Sequence, residues 1–407
     1  MKRVWGKEHN GYLDYVTAWH AKTLDLFGVN NRAGEWAFVT TNSIAHGLPV
    51  PALFDPIYKR GWKIKYAHRT FAWTSEAAGK AAVHCVIIGF TRDYGAKPRL
   101  FEYPDVKGEP QEIAVTSRIN AYLVDGPDVL VRKRSTPLAS LPPAVKGSQP
   151  TDGGNLIVEQ EQYDEIMADP VASKYVHRFV GARELLQGKD RWCLWLVDLD
   201  PADINKSAIL RSRLEAVREM RLDSKKAATR ALAATPHLFA EIRYSDVPFL
   251  CIPSVVSETR LYFTAARFPQ DVIVSNLAFQ VDDSDGFAFA LVSSSMFITW
   301  QRTIGGRLKS DLRFSNTVVW NTFPVPDLSP EVRQAIINAG RGVRDARALH
   351  PNRSLADHYN PLAMDPALLK AHNALDRAVD KAFGSKSSPT EADRQATLFK
   401  LYADMTK

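Results

Sequence analysis

The chain has 407 residues, 45% hydrophobic and 24% charged, enough for two or three domains with ordinary cores. No segment is apolar for long enough to span a bilayer, and the N-terminal MKRVWGKEHNGYLDY lacks the apolar centre of a secretion signal. Cys85, Cys193 and Cys251 stand far apart without metal-ligand spacing, which argues against a disulfide scaffold or a metal site and for reduced thiols in the cytoplasm; a net charge of +7 and a pI near 9.1 allow a polyanionic partner without requiring one.

Leu13, Val16, His20, Leu24 and Phe27 fall at helical spacing, predicting a helix over 12–27 with Gly28 as its stop. EWAFVTTNS (35–43) reads as a buried strand ending in polar turn residues. PVPALFDPIYKRG (49–61) reads as a proline-started helix closed by Gly61. An apolar run at 64–67 and a β-rich run at 82–90 read as the strands of an antiparallel hairpin. Between them, Phe71 and Trp73 lie in a connection of small and polar residues where no periodicity asks for large rings. The order helix, strand, helix, strand, strand suits the back half of a layered α/β sheet. A doubly wound sheet ordinarily begins with a strand and a glycine-rich turn at a helix N-terminus, and no such turn precedes residue 35, so the front half of a domain is expected to be missing.

From about 115 to 325 the texture becomes α+β. Short β-like runs (DVLVRK, NLIVEQ, RWCLWLVDL, VPFLCIPSVV, DVIVSNLAFQV) alternate with turn-rich and helical pieces, which suits a surface-reading module. FPVPDLSP marks a boundary. Beyond it Ser329-Pro330, Asp365-Pro366 and Pro389-Thr390 are helix starts, and Leu368, His372, Leu375, Val379 and Phe383 line one helical face.

Basic residues concentrate between 206 and 232. Lys206, Arg211, Arg213, Arg218, Arg221, Lys225, Lys226 and Arg230 face only Glu215, Glu219 and Asp223 there. GGRLKSDLRFS adds Arg307, Lys309 and Arg313 behind two glycines. Such density neutralises phosphates; the bland alternative for the long helix is a solvated face with internal ion pairs. Phe71 and Trp73 likewise divide between a hydrophobic plug on the sheet end and a stacking surface for a base drawn out of a duplex. His84 and Cys85 are adjacent in a strand and face opposite sides, so they make no nucleophile–base pair. His20, His46 and His68 read as structural, and DLDPADIN as a turn and helix cap. HYNPLAM and LPPA fail as Asn-Pro-Pro-aromatic motifs, the first for want of a second proline and the second because leucine precedes the prolines.

Taken in order, LDYVTAWHAK, AFVTTNSIAHG, HRTFAW, GKAAVHCVIIGF, YLVDGPDV, DGGNLI, RWCLWLVD, GGRLKSDLRFSNTVVWNTFPVP and LLKAHNALDRAVDKAFG resemble the MmeI-like adenine-N6 DNA methyltransferases of restriction–modification and phage-defence systems. The resemblance implies the back half of a class I, Rossmann-like methyltransferase sheet over 1–115, a target recognition domain over 116–325 and a helical C-terminal region over 326–407. It implies that Phe71 or Trp73 stacks on a flipped adenine, and that Arg221, Lys225, Lys226, Arg230, Arg307, Lys309 and Arg313 contact duplex DNA. S-adenosylmethionine (SAM) is the implied methyl donor. However, the family's SAM-binding glycine motif and its Asn-Pro-Pro-aromatic motif occur nowhere in the chain, and no catalytic residue can be assigned. The expectation is a recognition and base-holding part, inactive alone and completed by a segment or separate chain carrying the N-terminal half. The alternative is a non-catalytic DNA-binding specificity subunit or remnant that needs a catalytic partner.

Overall fold

The computed structural model describes residues 1–28, 33–73 and 83–407, which form two compact units. One comprises 1–140, 299–328 and 380–407; the other comprises 141–298 and 329–379. The compact units do not follow chain order: residues 116–140 and 299–325 of the expected recognition region and 380–407 of the expected C-terminal region fall in the first unit.

The first unit is built on a five-stranded sheet. Its elements begin with helix α1 (Ala18–Gly28), strand β1 (Trp36–Thr41) and helix α2 (Pro49–Lys59). Strands β2 (Lys63–Trp73), β3 (Val83–Thr91), β4 (Arg99–Glu102) and β5 (Gln111–Ile113) follow. The strand order is β1-β3-β2-β4-β5, with β2 and β4 parallel and the other neighbours antiparallel. The helix predicted over 12–27 starts later than expected, since residues 15–17 form a separate 3-10 turn. His20 and Leu24 still turn inward. Trp36 stacks on Phe90 at 4.0 Å between ring centroids, and the buried Phe54, Trp62 and His20 complete this aromatic core.

β2 departs most from expectation. It does not end at residue 67 but continues to Trp73, with Phe71 opposite Cys85 and Trp73 opposite Val83, across an irregularity between His68 and Phe71. Thr70, Phe71 and Trp73 are strand-forming residue types, and the Ala72 amide is further held by the Val106 carbonyl at 2.7 Å. Phe71 and Trp73 thus occupy strand positions. The remainder of the connection, 74–82, lies outside the described residues.

The second unit contains two four-stranded sheets. One orders Ala266–Phe268, Phe249–Pro253, Ala278–Asp282 and Val145–Lys146; the other orders Ile273–Val274, Val176–Val180, Trp192–Leu194 and Ile157–Val158. Of the predicted β-like runs only DVLVRK, in the first unit, joins no ladder, and there the Val131 amide donates to the Tyr122 hydroxyl instead. The three helix starts predicted near the C-terminus precede Pro330–Ala348, Pro366–Ala382 and Glu391–Met405; Ser329, Asp365 and Thr390 accept amide hydrogen bonds as their caps.

Two polar groups tie the second unit together from inside. Arg221, near the end of helix α3 (Ala208–Leu222), is 0% exposed. It donates through Nε to Thr151 O, through Nη1 to Leu232 O and Thr235 O, and through Nη2 to Pro150 O and Leu238 O, all between 2.7 and 3.0 Å. Five donors meet five carbonyls, the full capacity of a guanidinium. His372 is also fully buried. Its Nδ1 lies 3.0 Å from the Ser293 carbonyl, which can only accept, so Nδ1 carries the proton and Nε2 accepts from the Tyr359 hydroxyl at 2.8 Å. Tyr262 stacks on the same ring at 3.8 Å, and Arg347 donates to the Tyr359 oxygen.

Two stability predictions follow from these ties. Arg221→Lys leaves at least two buried carbonyls without donors, a loss of about 3 kcal/mol or more, readable as a lower urea midpoint. Burial lowers the His372 pKa to about 3, so the folded state keeps it neutral while the unfolded chain protonates it below about 6.5. Its contribution is complete above that pH and is lost at about 1.4 kcal/mol per pH unit as acidity rises toward pH 3. Unfolding between pH 7 and 5 should lose less stability in His372→Gln than in the parent protein.

Candidate nucleic-acid interface

In the first unit the end of β2, the turn after β1 and a basic hairpin are linked by direct contacts. Phe71 stacks on Tyr103 at 5.1 Å with 27° between the rings, and Tyr103 holds His68 through a 2.9 Å hydrogen bond. His68 stacks in turn on Phe101 at 4.5 Å. Phe71 is half-buried by this arrangement. Trp73, 6.4 Å from Phe71 between centroids, remains 48% exposed. Tyr103 was not singled out from sequence; its only signal was an aromatic pair, Phe101 and Tyr103, at strand spacing.

The TTNS turn brings Asn42 to Thr70, one residue before Phe71, at 3.5 Å. Five residues on, Gly47 donates to the Ile304 carbonyl at 3.1 Å. Gly47 has φ of +66°, and a Cβ there would sit 3.2 Å from the Cα of Gly306, so only glycine suits both the conformation and the close approach. Gly306 opens the hairpin Gly306–Leu308 with Asp311–Arg313. The close approach therefore depends on Gly47: a Cβ at Gly306 would meet nothing within 4 Å, whereas one at Gly305 would meet the Gln301 side chain and carbonyl. His46 is partly buried beside this junction, and its pKa is lowered to about 3, first by desolvation and then by the Arg307 charge.

The hairpin cations differ in availability. Arg307 is half-buried, with Nη1 on the Ser310 carbonyl and Nη2 toward the Arg302 carbonyl. Lys309, at the turn with φ of +57°, and Arg313 are exposed.

The other basic cluster belongs to the second unit and is largely spent internally. Lys206 pairs with Asp203 and Arg218 with Glu215; Arg211 donates to the Ile204 and Asn205 carbonyls, and Arg213 to those of Asn155 and Ile157. Arg221 corrects the sequence expectation, because a fully buried guanidinium with all five donors engaged cannot reach a phosphate. Burial lowers its pKa, with Asp152 opposing. Arg230 is exposed but donates to the Ser224 carbonyl at 2.8 Å. Lys225 and Lys226 are exposed, and among the described residues neither has an ion-pair partner.

Cys85, Cys193 and Cys251 are buried free thiols. Among the described residues no group of three or more His, Cys, Asp or Glu is placed to hold a metal, and no helix is long and apolar enough to cross a membrane.

Comparison with known proteins agrees with the motif order. Family models described as the DNA-methyltransferase domain, the target recognition domain and the C-terminal domain of MmeI match residues 1–102, 125–327 and 328–407. DNA methyltransferase A of Bacillus subtilis (strain 168) is 33% identical over 410 residues, an alignment that covers all of this chain and 46% of that protein. The solved structure of the Type IIL restriction-modification enzyme MmeI in complex with DNA is 40% identical with a TM-score of 0.88, covering 100% of this chain and 54% of that one. The chain thus spans about half the length of these two relatives. It belongs to the MmeI family and carries sequence from that family's DNA-methyltransferase, target recognition and C-terminal domains.

Proposed function

We propose that this chain is the base-holding and sequence-reading part of a site-specific adenine-N6 DNA methyltransferase of a restriction–modification system, working on duplex DNA with SAM as methyl donor. The observation that carries this reading is the linkage, inside one unit, of an open aromatic ring, a polar turn and a basic hairpin, in a chain of the MmeI family. Duplex DNA as partner is further supported by the DNA complex formed by the MmeI relative. A bacterial defence role and a cytoplasmic setting go with that reading, and the buried free thiols fit a reducing compartment.

Each residue then has a defined physical task. Trp73 offers the more open ring to a base withdrawn from the duplex, and stacking is worth about 1–3 kcal/mol per base. Phe71, fixed against Tyr103, sets the position of that ring. Lys309 and Arg313 meet phosphates near the flipped base, helped by the partly engaged Arg307. Lys225, Lys226 and Arg230 meet phosphates from the second unit. These contacts position the duplex without specifying sequence.

The residues described do not fit a SAM cradle. The turn between β1 and α2 carries a single glycine, Gly47, and it is packed against Gly306. We therefore derive no step through the donor from this chain and assign donor binding to a segment or partner chain bearing the N-terminal half. The same misfit favours one second reading, a non-catalytic specificity subunit.

The test is transfer of labelled methyl from SAM to mixed-sequence DNA by the chain alone and by the chain combined with the product of the DNA directly upstream. Label appearing only in the combination supports the methyltransferase reading. Salt-sensitive DNA binding with no label in either supports the specificity subunit. In an active combination, Trp73→Ala should slow methylation about tenfold or more while DNA affinity stays within about twofold. Normal methylation by both Trp73→Ala and Phe71→Ala would remove the stacking assignment.

A further inference from the structure

A cavity of about 280 Å³ in the second unit is lined by residues of the turn 284–286, by Phe289 and by the helix Pro330–Ala348, here α5; α4 is Phe287–Val292. Its wall is rich in guanidinium groups: Arg267, Arg341 and Arg344 all line it, together with the Gln334 carboxamide.

Charge compensation among these groups is uneven. Arg267 forms a 3.0 Å ion pair with the buried Asp283 and donates to the Asp283 and Ser284 carbonyls. Asp285, the carboxylate among the described lining residues, accepts from Arg333. These two arginine–aspartate pairs cancel. Arg341 and Arg344 do not: both are exposed, and among the described residues neither has an ion-pair or hydrogen-bond partner. Being three residues apart, they share one side of α5.

The backbone that presents them is held firmly. At Gly340, next to Arg341, a Cβ would lie 2.6 Å from the Ala290 Cβ, so α5 seats directly on α4 at that point. Asp283 also accepts from the amides of Ala288 and Phe289, which fixes the start of α4 and the turn before it. Two uncompensated guanidiniums on a fixed helix, facing a recess with a carboxamide and a third, locked guanidinium, form an arrangement suited to an oxyanion. Planar guanidinium donors match the oxygens of a phosphate in pairs.

We propose that this cavity seats a phosphodiester of the DNA backbone, held by Arg341 and Arg344 with Gln334. This contact lies outside both basic clusters apparent in the sequence, and it rests on the DNA-binding reading above. The recognised chemistry is a phosphate oxyanion, which duplex DNA and free phosphate share.

Binding of mixed-sequence duplex DNA, measured between about 50 and 200 mM salt, separates the outcomes. Arg341→Gln with Arg344→Gln should weaken binding about tenfold near physiological salt and reduce the slope of log affinity against log salt by about two. Arg341→Lys with Arg344→Lys should restore most of the slope, because the charges return. A control pair outside the lining, Arg183→Gln with Arg353→Gln, should change the slope by less than one. Both target side chains are exposed, so the melting temperature should not move. An unchanged slope in the Gln pair overturns the site while leaving DNA binding intact. Stabilisation of the parent by inorganic phosphate that the Gln pair abolishes, with DNA affinity unaltered, assigns the cavity to a free anion and also overturns it. Absence of salt-sensitive DNA binding in the parent removes the DNA reading and the site together.

Discussion

Backbone that belongs to neither helix nor sheet must still bond its carbonyl oxygens when it is buried, and in this protein arginine supplies much of that bonding. Arg221 is the extreme case, a buried guanidinium gathering five carbonyls from residues 150, 151, 232, 235 and 238. Arg213 holds the carbonyl of Asn155, and Arg347 that of Ala265. The second unit needs these staples because its strands run only two to five residues and its sheets satisfy few acceptors. Each buried carbonyl left without a donor would cost about 1–3 kcal/mol, so a handful of arginines decides whether such a loop-rich module folds at all.

The same constraint limits what net charge can say about function. A stretch with eight cations against three acids looks like a polyanion-binding face, yet the folded stretch leaves Lys225 and Lys226 as its unencumbered charges. Lysine has only three donors on a flexible stem and is poorly suited to gathering carbonyls, whereas arginine presents five in a fixed fork. Internal bonding therefore draws on arginines first, and the cations left for a partner are those the fold had no use for. Along a sequence the two kinds of arginine look alike. What separates them is whether their neighbours in space are carbonyls or solvent.

Legibility followed the range of the physics involved. Local rules carried the C-terminal helices, since Ser329, Asp365 and Thr390 cap through hydrogen bonds spanning two or three residues, and the inward face from Leu368 to Val379 repeats at helical period. The cap at Asp200 was equally local. The extension of β2 was not legible, because it depends on pairing with β3 and on the Val106 carbonyl more than thirty residues away. Tyr103 is illegible in the sequence for the same reason: its place comes from lying against Phe71 and His68, which only the sheet brings beside it. DVLVRK has residue types that favour a strand, but its Val131 and Arg132 amides donate to the Tyr122 and Tyr402 phenols and not to a neighbouring strand.

That Phe71 and Trp73 stand on a strand and not in a loop changes what they can do. Ordering a mobile aromatic side chain costs about 0.5–1.5 kcal/mol, comparable to the lower end of what stacking one base returns. Phe71 carries little of that cost, because Tyr103, His68 and Phe101 form a continuous run of stacked and hydrogen-bonded rings behind it. A hydrophobic plug would bury both rings; here one is backed and the other left half in solvent, on the strand end that reaches Asn42 through Thr70. Burying the exposed half of an indole against a base recovers apolar area that the folded chain alone leaves wet, at about 25 cal/mol per Å². The sheet thus supplies rigidity while leaving Trp73 half exposed, the combination that the proposed base-stacking role calls for.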